Sequence, residues 1–180
     1  MFNVHQLFHG TPELLKHSYQ VMITTRQIIA YLPQGLVSTI QAHDLSFAAL
    51  YHDLGKTSWP ADWHTKPFQE IKQNWEMMKL HPIQSVSMLK TAPAQAQQYI
   101  LQHHERPGGK GYPYGIEPGF HSLILASADV FVACIESRGY RKSSLSLEDA
   151  ILQVSKFAPD VILVALKAMV QGNDQVKILA

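Results

Sequence analysis

Residues 123–135 read LILASADVFVACI, a run that is apolar apart from Ser127 and Asp129. An apolar run of this length predicts a long buried helix, here from His121 to Glu136, because buried strands are shorter. An acid in such a helix is kept in an apolar interior only where it is paired or binds a metal ion. The stretch therefore predicts a helical core with a polar site built into it.

Helical spacing of apolar residues also dominates the rest of the chain, and the alternation typical of strands is scarce. Thr11, Pro12 and Glu13 provide a cap, a first-turn proline and a first-turn acid for a helix that ends near Pro33. Further helices are predicted over about 38–53, 71–78, 82–89, 94–104, 147–157 and 160–171, with a glycine-rich loop over 105–120. No internal repeat or linker is visible, so we expect one all-α domain over residues 1–180, a bundle of seven to eight helices.

The charge balance gives no indication of a polyanionic partner. Fifteen basic and fourteen acidic residues leave a formal charge of +1, so we expect a small-molecule partner and neither a nucleic-acid polymer nor a membrane. Cys134 is the only cysteine, which excludes an internal disulfide and fits a reducing compartment. The amino terminus lacks a secretory signal, and the apolar segment 161–170 is too short to span a bilayer. We therefore expect a soluble, cytoplasmic protein.

Ten histidines in 180 residues are the unusual feature of the composition, and several lie beside other ligand-type residues. Glu13 and His17 are four residues apart on one predicted helical face, so both can reach a common ion. The adjacent pairs His52–Asp53 and His103–His104 lie at predicted helix ends. Adjacent side chains diverge, so each pair suits two neighbouring metals better than one.

Two more residues fit the same chemistry. His81 immediately precedes Pro82, a position that disfavours helical backbone and would hold the imidazole near a helix start. Asp129 lies inside the apolar helix described above. Imidazole and carboxylate ligands without a thiolate favour iron, manganese, zinc or a related ion.

Each of these residues also has a purely structural interpretation. Glu13 can be a first-turn acid that interacts favourably with the helix dipole, Asp129 a salt-bridged core acid, and His52–Asp53 a helix cap. Other histidines are interpreted as surface or hydrogen-bonded residues: His5, His9, His43, His64 and His121. The metal interpretation is favoured because it explains the whole set together.

Other catalytic motifs are incomplete in this sequence. GKTS at 55–58 resembles the end of a phosphate-binding loop, but Leu50 replaces the required glycine and no strand is predicted before it. HERP at 104–107 lacks the second histidine of a zinc-protease helix. No nucleophile-elbow pattern supports a serine or cysteine triad.

Four segments together resemble the HD-GYP domains, a branch of the HD phosphohydrolases: HDLGK at 52–56, MKLHP at 78–82, HHERPGGKGYP at 103–113 and ASADVFVACIESRGYR at 126–141. The similarity extends from about Glu13 to about Ala150, with the segments in the family's order and spacing. It implies an all-helical fold, a bi- or trinuclear centre, usually of iron or manganese, and hydrolysis of cyclic di-GMP or a related cyclic dinucleotide. In that chemistry a metal-activated hydroxide attacks phosphorus.

By matching position, the resemblance implies a set of metal ligands: His17, His52, Asp53, His81, His103, His104 and Asp129. It makes Asp53 the bridging carboxylate and Glu13 a candidate ligand for a third metal. Lys56 matches the lysine that contacts the scissile phosphate, and Tyr112 matches a residue that lines the nucleotide site. Arg138 and Arg141 match the basic positions that contact substrate phosphate or guanine.

The chain departs from the family pattern at three positions. Gly108 and Val132 stand where relatives usually carry an acid, and Gly139 stands where they usually carry a proline. None is a predicted ligand, so we expect an intact metal centre. Two alternatives stay open: an HD phosphohydrolase acting on another nucleotide, and a signalling module that keeps its metal but binds protein partners with little turnover. The change at Gly108 is the reason to keep the signalling module.

Overall fold

The computed structural model describes residues 3–60, 63, 66, 68–136 and 144–172. The helices are α1 (Val4–Leu7), α2 (Pro12–Tyr31), α3 (Thr39–Tyr51), α4 (Phe68–Ile71), α5 (Trp75–Met78), α6 (His81–Met88), α7 (Ala94–Gln102), α8 (Phe120–Ile135), α9 (Leu147–Val154) and α10 (Asp160–Gly172). Short 3-10 helices cover Leu54–Ser58 and Lys72–Asn74. No strand occurs in these described parts, and the predicted all-α fold is confirmed.

The predicted helix over 71–78 takes a different form. The chain there folds as α4, the 3-10 helix Lys72–Asn74 and α5, each only a few residues long. Among the described residues, the helices of eight residues or more are α2, α3, α6, α7, α8, α9 and α10. These seven form the bundle that the apolar spacing predicts. No helix within them has the combination of length and hydropathy needed to cross a lipid bilayer.

Helix α8 lies at the centre of the bundle and contacts α2, α3, α7 and α9. Twelve of its sixteen residues are buried, so it is enclosed on nearly all sides, as its apolar sequence predicts. Ile28 of α2, Leu45 of α3 and Ile100 of α7 are fully buried in the same core. Each such side chain contributes about 1.5–3 kcal/mol through burial. Asp129 of α8 is thereby held inside the protein.

A close contact joins the chain after α3 to the start of α6. A side chain at Gly55 would overlap the backbone carbonyl oxygen of His81. The Ser85 hydroxyl accepts a hydrogen bond from the Gly55 N–H at 2.8 Å and donates one to the His52 carbonyl at 2.8 Å. This contact fixes His52 and the adjacent Asp53 beside His81.

The loop between α7 and α8 folds back on its own beginning. The fully buried Glu105 carboxylate accepts hydrogen bonds from the N–H groups of Tyr114 at 2.7 Å and Ile116 at 3.1 Å. A side chain at Gly111 would overlap the backbone of His104 and Glu105. The Tyr112 N–H then donates to the His104 carbonyl at 3.2 Å. The loop is therefore a fixed wall beside His103 and His104.

Candidate metal centre

Seven histidine and aspartate side chains converge on one buried pocket. They form three overlapping groups, within each of which the ligand atoms lie within 4.8 Å of one another. The groups are Asp53, His81, His103 and His104; His17, His52 and Asp53; and His52, His103 and Asp129. All seven ligands implied by the family resemblance are members. They come from α2, α6, α8 and the residues that follow α3 and α7.

Asp53 lies between two sets of imidazoles. Its Oδ1 is 3.1 Å from His81 Nε2 and 3.8 Å from His103 Nε2. Its Oδ2 is 3.4 Å from His52 Nε2 and 4.0 Å from His17 Nε2. Because the two oxygens face different histidines, this carboxylate has the geometry needed to contact two ions at once.

Asp129 supplies a second carboxylate at one side of the pocket. Its Oδ1 lies 3.1 Å from His17 Nε2 and 3.7 Å from His52 Nε2. The acid that the apolar sequence of α8 could not explain thus lies against two histidines from other elements. Either an ion pair or shared metal coordination is consistent with these distances.

Three of the histidines are oriented by backbone carbonyls three residues earlier. The Nδ1 atoms of His52, His81 and His103 lie 2.8, 2.7 and 2.6 Å from the carbonyl oxygens of Ala49, Met78 and Ile100. The carbonyls are at helix ends, where the last turn leaves oxygens without a partner in the helix. A proton on each Nδ1 leaves Nε2, which faces the pocket, free to bind a metal.

Several buried polar atoms in the pocket have no hydrogen-bond partner among the described residues. They are His52 Nε2, Asp53 Oδ1 and His104 Nε2. Leaving a buried acceptor unpaired costs about 1–3 kcal/mol, and atoms of this kind require an explanation. Imidazole and carboxylate atoms that face one another fit a transition-metal site, so this donor set fits divalent ions.

The pocket electrostatics leave much of this donor set in its metal-binding form. Burial lowers the pKa of His81 to about 4, with a further contribution from the Lys56 charge. Burial also lowers the pKa of His103 and His104. The pKa of Asp129 stays well below its usual value because hydrogen bonds and charge from His17 and His52 outweigh the effect of burial. At neutral pH these residues are therefore neutral imidazoles and an ionised carboxylate.

On the opposite side of the pocket, the imidazoles of His17 and His52 are protonated when no cation is bound. Burial lowers the pKa of His52, but the nearby carboxylates of Asp53 and Asp129 outweigh this effect and raise the pKa to about 10. The pKa of His17 is also raised, because hydrogen bonds to Asp129 and Glu136 outweigh burial. Positive charge thus offsets the two aspartates on this side.

Lys56 lies at the edge of the pocket on the 3-10 helix Leu54–Ser58. Its Nζ is 2.5 Å from Asp53 Oδ2, and its side chain is 22% exposed. The ammonium also lies 5.6 Å from the centre of the Trp59 ring. It therefore connects the buried carboxylate to the solvent side of the site.

Tyr112 forms an aromatic wall next to the histidine pair. Its ring stacks on His104 with centroids 4.5 Å apart and planes 24° apart. The Trp75 ring lies 5.3 Å from Tyr112 on another side. Burial raises the pKa of Tyr112, so the phenol is neutral at physiological pH.

One predicted metal ligand is not brought into this cluster. Glu13 is exposed in the first turn of α2 and belongs to none of the three groups, and its role toward a third metal stays a prediction. Arg138 and Arg141 lie outside the described residues, so their substrate contacts also stay predictions.

The structure adds residues that sequence reasoning missed. Glu136 lies 2.9 Å from His17 Nδ1, Glu105 holds the loop, and Trp75 flanks Tyr112. The only available signal for Glu136 was an acid at the end of an apolar helix. For Glu105, an acid directly after the histidine pair gave no indication of its burial.

The sequence profile of the HD domain matches residues 7–159. The chain belongs to the HD-domain family, and its resemblance to the HD-GYP branch is confirmed. It is 32% identical over 143 residues to a cyclic di-GMP phosphodiesterase of Thermotoga maritima, covering 73% of this chain and 39% of the relative. It is 30% identical over 148 residues to a cyclic di-GMP phosphodiesterase of Pseudomonas aeruginosa, covering 77% of this chain and 34% of the relative. The chain thus spans well under half of these relatives.

Solved structures share the fold at low sequence identity. The HD domain of the phosphodiesterase PgpH from L. monocytogenes, in complex with cyclic-di-AMP, has a TM-score of 0.72 and 14% identity, covering 96% of this chain and 95% of that one. An HD-GYP-type protein from Bdellovibrio bacteriovorus has a TM-score of 0.69 and 19% identity, covering 94% of this chain and 58% of that one. Both likenesses support the helical architecture.

Proposed function

We propose that this protein is a metal-dependent phosphodiesterase that hydrolyses a cyclic dinucleotide, with cyclic di-GMP as its substrate. The observation that carries the proposal is the convergence of seven histidine and aspartate side chains on one buried pocket. The names of the relatives support the substrate class, since those from Thermotoga maritima and Pseudomonas aeruginosa are both cyclic di-GMP phosphodiesterases. Residues 1–180 are proposed to form a single domain, because α2, α3 and the helices α6 to α10 contribute to a common core.

We assign two divalent ions, iron or manganese, to the pocket, with Glu13 as the candidate ligand for a third. Asp53 is the proposed bridging carboxylate, with histidines near each of its oxygens. The remaining ligands are His17, His52, His81, His103, His104 and Asp129. When bound, such ions activate water as a nucleophile and stabilise negative charge on a phosphoryl group.

Side chains around the pocket have separate roles in this proposal. Lys56 places its ammonium beside Asp53, where it can stabilise the charge that develops on the phosphoryl oxygens. Tyr112 offers an aromatic surface on which a guanine base can stack. Arg138 and Arg141 are the proposed contacts to substrate phosphate or guanine.

A second candidate substrate is a hybrid cyclic dinucleotide. A 3'3'-cGAMP-specific phosphodiesterase of Vibrio cholerae is 32% identical over 112 residues, covering 59% of this chain and 26% of the relative.

Signalling-protein partners also belong to the proposal, as does a cytoplasmic location. The location is supported by the presence of a single cysteine in the sequence, which excludes an internal disulfide.

Hydrolysis under anaerobic conditions tests this function. Protein loaded with iron or manganese is incubated with cyclic di-GMP, 3'3'-cGAMP and a simple phosphodiester, and the products are separated by chromatography. We expect cyclic di-GMP to be cleaved fastest, and we expect Asp53→Ala to abolish both metal binding and cleavage. Preference for the hybrid substrate would select the second candidate. A metal-loaded protein that cleaves none of the three would contradict the proposed activity.

A further inference from the structure

The orientation of His17 differs from that of the carbonyl-held histidines in the pocket. His17 lies inside α2, whereas His52 and His103 follow the last residues of α3 and α7, and His81 opens α6. Within a helix, the backbone carbonyls already accept hydrogen bonds from N–H groups one turn later. A histidine in the body of a helix therefore needs another acceptor for its outward-facing nitrogen.

Glu136 supplies that acceptor from the far end of the sequence. Its Oε2 lies 2.9 Å from His17 Nδ1, while His17 Nε2 faces Asp129 Oδ1 at 3.1 Å. Asp129 lies in α8, and Glu136 is the first residue after that helix. The imidazole is therefore held between one carboxylate from α8 and one from the residue at its end.

The position of Glu136 is unfavourable for an acid unless it is paired. It directly follows α8, where the helix dipole favours positive rather than negative charge. Its side chain is only 13% exposed, so the carboxylate has also lost much of its hydration. The hydrogen bond to His17 offsets these costs.

We propose that Glu136 is a positioning residue for the metal centre: it fixes the proton of His17 on Nδ1, directs Nε2 to the metal and strengthens His17 as a ligand. Ligand histidines commonly donate to a carboxylate or carbonyl in this way. Here one histidine uses a carboxylate, while three use backbone carbonyls. One turn before Glu136 stands the buried Val132, one of the departures from the family pattern. In this chain the carboxylate is thus at 136 and not at 132.

This inference rests on the metal centre of the proposed function, but it is tested by binding and not by turnover. The dissociation constants for Mn²⁺ are measured by electron paramagnetic resonance of the free ion. Loss of a partner of this kind weakens metal binding by about 10- to 100-fold, and we expect Glu136→Met, which removes the carboxylate that accepts the Nδ1 proton, to raise one Mn²⁺ dissociation constant by that factor. Glu148→Gln removes an exposed acid from α9 and is expected to leave both constants unchanged.

A double-variant comparison separates positioning from a general effect on the fold. In a His17→Ala background, Glu136→Met is expected to cause no further loss of Mn²⁺ affinity, because its effect acts through His17. Equal losses in the two backgrounds would overturn the proposal, as would a Glu136→Met protein that binds Mn²⁺ like the wild type. If the Met variant does not fold, Glu136→Ala replaces it with the same expected and contradicting results.

The possible failures are distinguishable. Wild-type protein that binds Mn²⁺ but cleaves no cyclic dinucleotide would contradict the proposed function and leave the role of Glu136 intact. Unchanged binding by Glu136→Met would contradict only the role of Glu136. Wild-type protein that binds no Mn²⁺ would overturn both.

Discussion

Gly55 packs against the backbone of His81 so closely that a side chain at Gly55 would overlap the His81 carbonyl oxygen. Gly55 belongs to the 3-10 helix Leu54–Ser58, which also carries Lys56 and directly follows Asp53. The distance between Asp53 and His81, which contribute to one group of ligands, is therefore set by a contact that only glycine permits. The absence of a side chain at residue 55 thus helps to define the geometry of the metal site.

We expect Gly55→Ala to push the 3-10 helix away from α6. Overpacking of this kind costs about 1–3 kcal/mol in the free energy of unfolding, and the displacement should also weaken Mn²⁺ binding. Gly119→Ala is the control, because its added carbon would meet only Gln102 Oε1 at an ordinary 3.6 Å. Urea unfolding and Mn²⁺ titration measure both effects. Wild-type stability and affinity in Gly55→Ala would show that the contact is not restrictive.

Lys56 is expected to act on the reaction and not on metal retention. Replacing it with methionine removes the ammonium beside Asp53 while keeping an unbranched side chain of similar length. Removing one group that stabilises transition-state charge typically lowers kcat about 10²- to 10³-fold, and we expect a loss in this range with cyclic di-GMP. The exposed Lys90 provides the control variant, Lys90→Met. A Lys56→Met enzyme with wild-type kcat would exclude the proposed role.

Tyr112 is expected to contribute to substrate binding through its ring. Base stacking on an aromatic side chain contributes about 1–3 kcal/mol, so Tyr112→Ala should raise KM for cyclic di-GMP by about 5- to 150-fold. Tyr112→Phe keeps the ring that stacks on His104 and should retain most of the affinity. Steady-state kinetics on the two variants check this. Equal KM values for both would mean that stacking is not what Tyr112 supplies.

Glu105 is expected to hold the loop and leave the metals in place. In Glu105→Gln, one carboxylate oxygen that accepts an N–H becomes an amide that cannot accept it, so one of the bonds to Tyr114 and Ile116 is lost. An unsatisfied buried group costs about 1–3 kcal/mol. Hydrogen exchange of the Tyr114 and Ile116 amides should therefore accelerate, while Mn²⁺ affinity stays near the wild-type value. Unchanged exchange would show that the loop is held by other contacts.

The helices were predictable from the sequence because their buried faces repeat at helical spacing. The run around Asp129 predicted α8, and the structure places that helix in the centre. The region 71–78 was wrongly predicted as one helix, since Ile71, Trp75 and Met78 have helical spacing although the chain breaks into short turns there. Periodicity over so few residues does not distinguish one helix from two short ones.

The candidate site was predictable to the extent that its residues form local motifs. The pairs at 52–53 and 103–104 stand at helix ends, where both the expected and the observed helices stop. The partnership of His17 with Glu136 spans 119 residues, and no local pattern encodes it. The conformation of the loop explains one departure from the family pattern, Gly108. Its φ of +74° favours glycine, and its N–H donates to Glu117 Oε2 at 2.7 Å. That departure from the family pattern therefore suits this loop.

The pocket around Asp53 is proposed to hold two neighbouring divalent ions. Protein loaded anaerobically with Mn²⁺ and freed of excess ion can be measured for metal content per chain and for magnetic coupling by electron paramagnetic resonance. We expect at least two equivalents of manganese with a coupled signal, and less than one equivalent in Asp53→Asn. Wild-type protein with no bound manganese, or a fully loaded Asp53→Asn protein, would contradict this proposal.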